Sequence, residues 1–230
     1  MYEKFFKRIL DCFCAAISMI ILSPVFGIIA VLDWINMGFP FIFKQKRPGK
    51  KDRDGQEKIF TLLKFRTMTD ARDKNGNVLP DADRLTSFGK ALRKTSLDEL
   101  PQLWNIFVGD MSFVGPRPLL VEDMMFMDER QRERHRIRPG LTGLAQINGR
   151  NCTEWTDKLN YDLAYMEKIS FCEDIRILLV TIRIVLRHED ITYDKMATAE
   201  NLGDYLLRIG NISRDEYKLC SDKAKVLLGE

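Results

Sequence analysis

Between Asp11 and Asp33 the chain runs through 21 uncharged residues, CFCAAISMIILSPVFGIIAVL. As a straight helix this run would reach roughly 32 Å, enough to match the hydrocarbon layer of a bilayer. A secretory signal peptide would carry a shorter apolar run and a small-residue cleavage site. Here Asp33-Trp34 and then Lys/Arg-rich sequence follow, so the run reads as a retained membrane segment.

Past this run the apolar positions become short and periodic. FIFKQKRPGKK and EKIFTLLKFRTM read as two strands joined by a basic, glycine-containing loop, with Pro48-Gly49 and Asp54-Gly55 as turn signals. This predicts a β-hairpin at the membrane surface. DARDKNGNVLPDADR is polar and reads as a loop, followed by a helical turn. Leu97, Leu100, Trp104 and Phe107 recur at helical spacing, GDMSFVGPRPLL reads as loop, and Glu122 to Arg138 as one long charged helix that Pro139-Gly140 ends. Further helices are predicted over Asp157 to Ile169 and Asp174 to Arg187, and shorter ones around Tyr205 and Lys218. The predicted class is α+β and mostly helical. Its units are a membrane segment over 1–37, a catalytic domain over 38–190 and an extension over 191–230.

The flanks of the apolar run bear on its topology. Lys4, Lys7 and Arg8 stand on one side, and Lys44, Lys46, Arg47, Lys50, Lys51 and Arg53 on the other, which assigns both flanks to the cytoplasm. Ser23-Pro24 lies at the midpoint, where Pro24 removes a backbone donor and the Ser23 hydroxyl is placed to rebind a freed carbonyl. Together these favour a re-entrant helix-break-helix that dips into one leaflet, over a kinked transmembrane helix. In the helix over 174–187, Ile175, Leu178, Leu179, Ile182 and Leu186 are apolar, with Arg176, Arg183 and Arg187 elsewhere on its circumference. That pattern fits an amphipathic helix in the headgroup layer equally with one packed on a core.

Composition narrows the chemistry. With 45% hydrophobic and 30% charged residues over 230 positions, the chain is a folded protein with a sizeable core. The net charge of +3 gives no reason to expect a nucleic-acid partner. The positive charge is concentrated at the N-terminus, with nine basic and four acidic residues in 1–53 (+5) against 27 and 29 in the remainder (−2). Five cysteines without a CxxC pair fit a reducing compartment. Two histidines, His135 and His188, make a Ser/His/Asp system improbable and exclude a His-rich metal site. No GxxxxGK[ST] or GxGxxG occurs, so chemistry must run on carboxylates, lysines and arginines.

The densest group of such residues is LRKTSLDELPQLWN, with Arg93, Lys94, Asp98 and Glu99 near a helix start. Adjacent carboxylates among basic residues suit a divalent cation and an anionic substrate. Ser96 to Glu99 equally fits a capping box, and on that pattern alone the capping role is favoured. Lys64 and Arg66 in LLKFRTM, Arg117 in VGPRP and Arg150 in QINGR stand beside glycine, proline or strand ends. Such a set of cations suits a transferred phosphoryl group, whose oxygens gather charge in the transition state.

The motifs LSP, KFRTM, TSLDELPQLWNIFVGDMSFVGPRP, RPGLTGLAQINGR and YDLAYM, in this order over about residues 1–190, resemble those of the bacterial sugar transferases, the monotopic phosphoglycosyl transferases. The resemblance implies transfer of a phospho-sugar from a UDP-sugar, N-acetylated by preference, to undecaprenyl phosphate at the cytoplasmic face of a bacterial inner membrane. That is the first membrane step of O-antigen, capsule, exopolysaccharide or glycoprotein glycan assembly. It further implies Asp98 as nucleophile and Glu99 as its dyad partner, with Mg²⁺ at the pair, and ping-pong kinetics through a covalent aspartyl intermediate. By the same resemblance Arg93, Arg117 and Arg150 bind phosphate, Lys64 and Arg66 line the site, Ser23 and Pro24 form the membrane break, and Lys7 and Arg8 contact lipid headgroups. Leu63 departs from the pattern, where an aromatic residue is frequent. The extension over 191–230 lies beyond the family core, and its role stays open between folding, a homodimer contact and a downstream glycosyltransferase. Two other readings stand beside the transferase: a non-catalytic scaffold on anionic lipid, and a Mg²⁺-dependent phosphohydrolase.

Overall fold

A computed structural model describes residues 2–149, 154–187 and 200–229. The apolar run forms one helix, α1 (Lys7–Met37), preceded by a π-helical turn over Tyr2–Phe6. The expected interruption at Ser23-Pro24 is instead a proline accommodated inside α1. Pro24 cannot donate to the Ile20 carbonyl, and Ser23 Oγ takes that acceptor at 2.8 Å, so the helix continues.

The helix does not project from the rest of the chain. Its buried residues Asp11, Ala15, Ile29 and Asp33 form one stripe, and Ala15 packs with Phe60, Leu62, Leu103, Ile106 and Met111. Ile29 packs with Phe65 and Leu92 further along. Asp11 and Asp33, about six turns apart, both accept backbone amides of the same body: Phe113 N at 3.2 Å and Arg66 N at 3.1 Å. The opposite side leaves Phe13, Ile17, Ile20, Ile21, Ile28, Val31 and Ile35 exposed. Among the described residues α1 is the one helix long and apolar enough to cross a membrane.

Two antiparallel strands, β1 (Ile42–Lys51) and β2 (Glu57–Phe65), form the expected hairpin. The polar stretch after it holds a tight loop in which the Asp73 carboxylate accepts the amides of Asn75 and Asn77, and then α2 (Asp81–Arg84) and α3 (Ser87–Thr95). Gly89 of α3 lies against the backbone of Thr67, where a Cβ would sit 1.9 Å from the Thr67 carbonyl oxygen. The helix expected over 97–107 divides at Pro101 into a 3₁₀ turn, Leu97–Glu99, and α4 (Gln102–Val108).

The segment read as loop before Arg117 contains β3 (Ser112–Val114), which pairs in parallel with β4 (Gly140–Thr142). The long charged helix expected over 122–138 is three pieces: α5 (Val121–Met125), α6 (Glu129–Arg132) and a 3₁₀ turn over Glu133–Arg136. Asp128 breaks it, being extended and accepting from Gln131 N at 2.7 Å while Gln131 bonds back to its amide. Burial of Arg134 and His135 then fixes the last turn. After α7 (Leu144–Ile147), α8 (Trp155–Glu167) and α9 (Phe171–Arg187) agree closely with the predicted helices. On α9 Ile177 and Ile184 are buried, while Phe171, Ile175, Leu179, Ile182 and Leu186 are exposed. The extension forms α10 (Leu202–Arg208) and α11 (Arg214–Leu228).

Candidate active site

The chain turns sharply between α3 and the 3₁₀ turn. Ser96 takes a left-handed conformation at φ 56°, with no side-chain cap. A capping box is therefore absent, although its sequence pattern is present, and the backbone strain of a left-handed serine is stored here. The chain reverses here, and Asp98, two residues on, is 7% exposed.

Lys64 meets the carboxylates from β2. Its Nζ lies 2.7 Å from Glu99 Oε1 and 3.9 Å from Asp98 Oδ2. Asn105, buried on α4, fixes this meeting: its Oδ1 accepts from Leu63 N at 3.1 Å and its Nδ2 donates to Thr61 O at 2.8 Å. One side chain thus pins α4, just after the dyad, to the strand that carries Lys64. Arg117 reaches Glu99 Oε1 at 3.7 Å. Arg93 Nε donates to Thr67 Oγ1 at 3.0 Å, and its charge acts on Asp98.

Burial pushes the Asp98 carboxyl up to about 6, Lys64 opposes the rise, Glu99 adds to it, and Arg93 and Arg117 oppose it. An ionised Asp98 near pH 7 is then a poorly hydrated carboxylate, more basic than an ordinary one and surrounded by cations.

The Arg117 segment is held from several sides. Gly115 and Gly140 approach so closely that a Cβ on Gly140 would sit 2.1 Å from Gly115 N, and Gly140 N donates to Pro116 O at 2.9 Å. Arg134, with 2% of its surface exposed, donates to Arg117 O at 2.6 Å while paired with buried Asp162. Arg47 Nη1 donates to Pro118 O at 3.3 Å, its Nη2 to Gln45 Oε1 at 2.6 Å, and its buried Nε has no hydrogen-bond partner among the described residues. Burial pulls the Arg47 guanidinium down to about 10, the like charge of Arg117 adds to this, and Asp123, Glu122 and Glu99 counter it. Arg47, Asn105, Arg134 and Asp162 were not picked out from the sequence as site residues. Their only local signal is a polar residue at an otherwise core-facing position, which a single sequence does not separate from a surface one.

Arg66, Lys7 and Arg8, also predicted as site or headgroup residues, bond to other parts of the fold. Arg66 is buried and clamps the end of α1, donating to Met37 O at 3.4 Å, Pro40 O at 3.1 Å and Asp70 Oδ2 at 3.0 Å. Lys7 is ion-paired with buried Asp174, which also accepts from Tyr2 and Tyr165. Arg8 donates to Ile106 O and Phe107 O, both at 2.6 Å, closing the C-terminal end of α4. Arg150 lies outside the described residues. Among the described residues no group of three or more His, Cys, Asp or Glu gathers as a metal cage. The two adjacent carboxylates fit Mg²⁺, which is commonly held by one or two carboxylates with substrate phosphates completing its shell.

Residues 2–188 match the family described as bacterial sugar transferase. The chain is 45% identical over 194 residues to the uncharacterized sugar transferase EpsL of Bacillus subtilis, covering 84% of this chain and 94% of that one. It is 37% identical over 193 residues to a UDP-N-acetylgalactosamine-undecaprenyl-phosphate N-acetylgalactosaminephosphotransferase of Aeromonas hydrophila, covering 79% of this chain and 44% of that one. A UDP-glucose:undecaprenyl-phosphate glucose-1-phosphate transferase of Klebsiella pneumoniae is 39% identical over 187 residues, with 77% and 39% covered. The chain thus spans less than half of these two larger relatives and nearly all of EpsL. On the family match and these identities, the chain belongs to the bacterial sugar transferases, a family of phosphoglycosyl transferases.

Proposed function

We propose that the chain transfers a sugar phosphate from a UDP-sugar to undecaprenyl phosphate, releasing UMP. The observation that carries this reading is the buried Asp98 carboxylate, set among Lys64, Glu99, Arg93 and Arg117. An Asp98 oxygen attacks the β-phosphorus of the donor, the bond from that phosphorus to the bridging oxygen breaks, and UMP leaves with the electron pair. An oxygen of undecaprenyl phosphate then attacks the same phosphorus, and the aspartyl bond breaks to restore the carboxylate. One phosphoanhydride replaces another, so no external energy source is required. Kinetics are ping-pong, because donor and acceptor use one site in turn.

Lys64 holds Glu99 and balances the charge of Asp98, and Arg93, Arg117 and Arg150 carry the phosphate oxygens. Asp98 and Glu99 would hold Mg²⁺, which when bound neutralises charge across the diphosphate. The sugar is taken to be N-acetylated. The two characterised relatives named above differ in their sugar, so likeness alone does not choose it.

The membrane is the medium that covers the exposed apolar faces of α1 and α9. That both Asp11 and Asp33 bond to one body supports a monotopic seat in which the unbroken α1 lies along the body, since a crossing helix would carry one end away from it. The basic flanks of α1 are the reason to seat it on the cytoplasmic face. The test is UMP release from a panel of UDP-sugars with Mg²⁺, with and without undecaprenyl phosphate, comparing wild type with Asp98→Asn. Lipid-dependent turnover that the variant lacks supports the proposal. Sustained release without lipid would make the enzyme a hydrolase.

A further inference from the structure

The stretch beyond the family match is built into the catalytic body. Leu202 is buried with Met127, Trp155 and Leu159, and Trp155 Nε1 donates to Glu200 O at 3.1 Å. Gly203 presses on the Phe126 ring so closely that a Cβ would lie 2.5 Å from a ring carbon, and Phe126 in turn packs on Tyr217 at 5.4 Å between centroids. At the far end, Lys46 of β1 donates to Leu228 O at 2.6 Å.

These contacts surround one buried carboxylate. Asp123, 3% exposed, accepts from Leu202 N at 2.8 Å through one oxygen and from Leu120 N at 3.2 Å through the other. The first amide belongs to the extension, and the second closes the segment that begins at Arg117. Arg47, an electrostatic neighbour of Asp123, reaches Pro118 O in the same segment. Loss of the extension would leave a buried carboxylate short of one donor, and its remaining hold is on the Arg117 segment.

We propose that residues 200–229 act as a positioning clamp on the Arg117 segment, acting through Asp123, and so set the affinity of the site for the donor diphosphate. The clamp rests on the reading of Arg117 as a phosphate-binding residue.

The test uses the full chain in lipid nanodiscs with Gly203→Ala, whose added methyl must displace the Phe126 ring or the extension. Hydrogen exchange should rise both at 200–208 and at 115–120, with strand β2 (Glu57–Phe65) unchanged. With a UDP-sugar donor, KM should rise on the order of tenfold or more while kcat changes much less. Phe126→Leu added to Gly203→Ala should restore KM, because it frees the space. If exchange rises at 200–208 alone, or if kcat falls with KM unchanged, the clamp is refuted. Should Gly203→Ala not fold, Asp123→Asn takes its place with the same readouts, since its amide can satisfy only one of the two backbone donors. If the wild type turns over no donor, the transferase reading fails, and the exchange measurement still decides whether the extension orders the Arg117 segment.

Discussion

Asp98→Asn should destroy activity and stabilise the protein at neutral pH, both for the same reason. Burial raises the Asp98 carboxyl from its ordinary 3.8 to about 6, against the opposing pull of Lys64 and with Glu99 adding to the rise. The folded chain therefore holds this proton more tightly than the unfolded chain, so stability falls as pH rises from about 4 to about 6. At one pH unit per 1.36 kcal/mol, ionised Asp98 costs about 3 kcal/mol at pH 7. The asparagine is nearly isosteric and uncharged, so the variant should melt roughly 6–12 °C higher at pH 7, and the gap should close near pH 4. Thermal unfolding of both proteins in nanodiscs between pH 4 and 8 measures this. Equal melting temperatures at pH 7, or a gap that does not narrow on acidification, would refute the buried-carboxylate argument. UMP turnover by the variant would refute the nucleophile. In the wild type, kcat/KM for the donor should fall below pH 6 as Asp98 takes up its proton. Lys64→Met should move that limb upward, since Lys64 lowers the Asp98 pKa.

Three further perturbations separate roles that the sequence left joined. Asp162→Asn strands the buried Arg134 charge and should destabilise the chain by about 3–5 kcal/mol, read as a fall in melting temperature, with a raised donor KM because Arg134 holds Arg117 O. Arg8→Gln should lower the melting temperature, by about 1–3 kcal/mol equivalent, through the loss of its bonds to Ile106 O and Phe107 O. Its vesicle affinity should hold, and weakened binding to anionic vesicles with unchanged melting would assign Arg8 to headgroups instead. Gly89→Ala should cost roughly 3 kcal/mol, because its methyl meets the Thr67 carbonyl at 1.9 Å. It should also loosen Arg93, which bonds Thr67 Oγ1, so an unaltered melting curve would contradict the packing of α3 on the strand end.

Much was legible from the chain alone, where structure depends on neighbours in sequence. The hairpin is set by strand residues around the Asp54-Gly55 turn, whereas Pro48-Gly49, also read as a turn signal, lies inside β1 where the register shifts. Helices α8 and α9 follow from apolar spacing, and the Ser23 hydroxyl replaces the donor that Pro24 lacks within a single turn. The carboxylate pair at Asp98 and Glu99 and the cations Lys64, Arg93 and Arg117 could be named from their motifs. Local patterns misled where a distant contact competes with them. Asp128 restarts the chain in what reads as one long helix, β3 and β4 pair across a separation that no local period reports, and Ser96 turns left-handed in place of capping.

Tertiary structure alone decided how each charge is used. Lys7, Arg8 and Arg66 are as basic in sequence as Lys64, but the fold places them on Asp174, on the carbonyls ending α4 and on those ending α1. Asp11 and Asp33 look like the charged borders of an apolar run, and become polar anchors that bind both halves of α1 to the body. Sequence fixes which groups are present and what a few neighbouring residues can do. Burial, and therefore the cost of a charge and the partner it must find, depends on segments brought together from far along the chain.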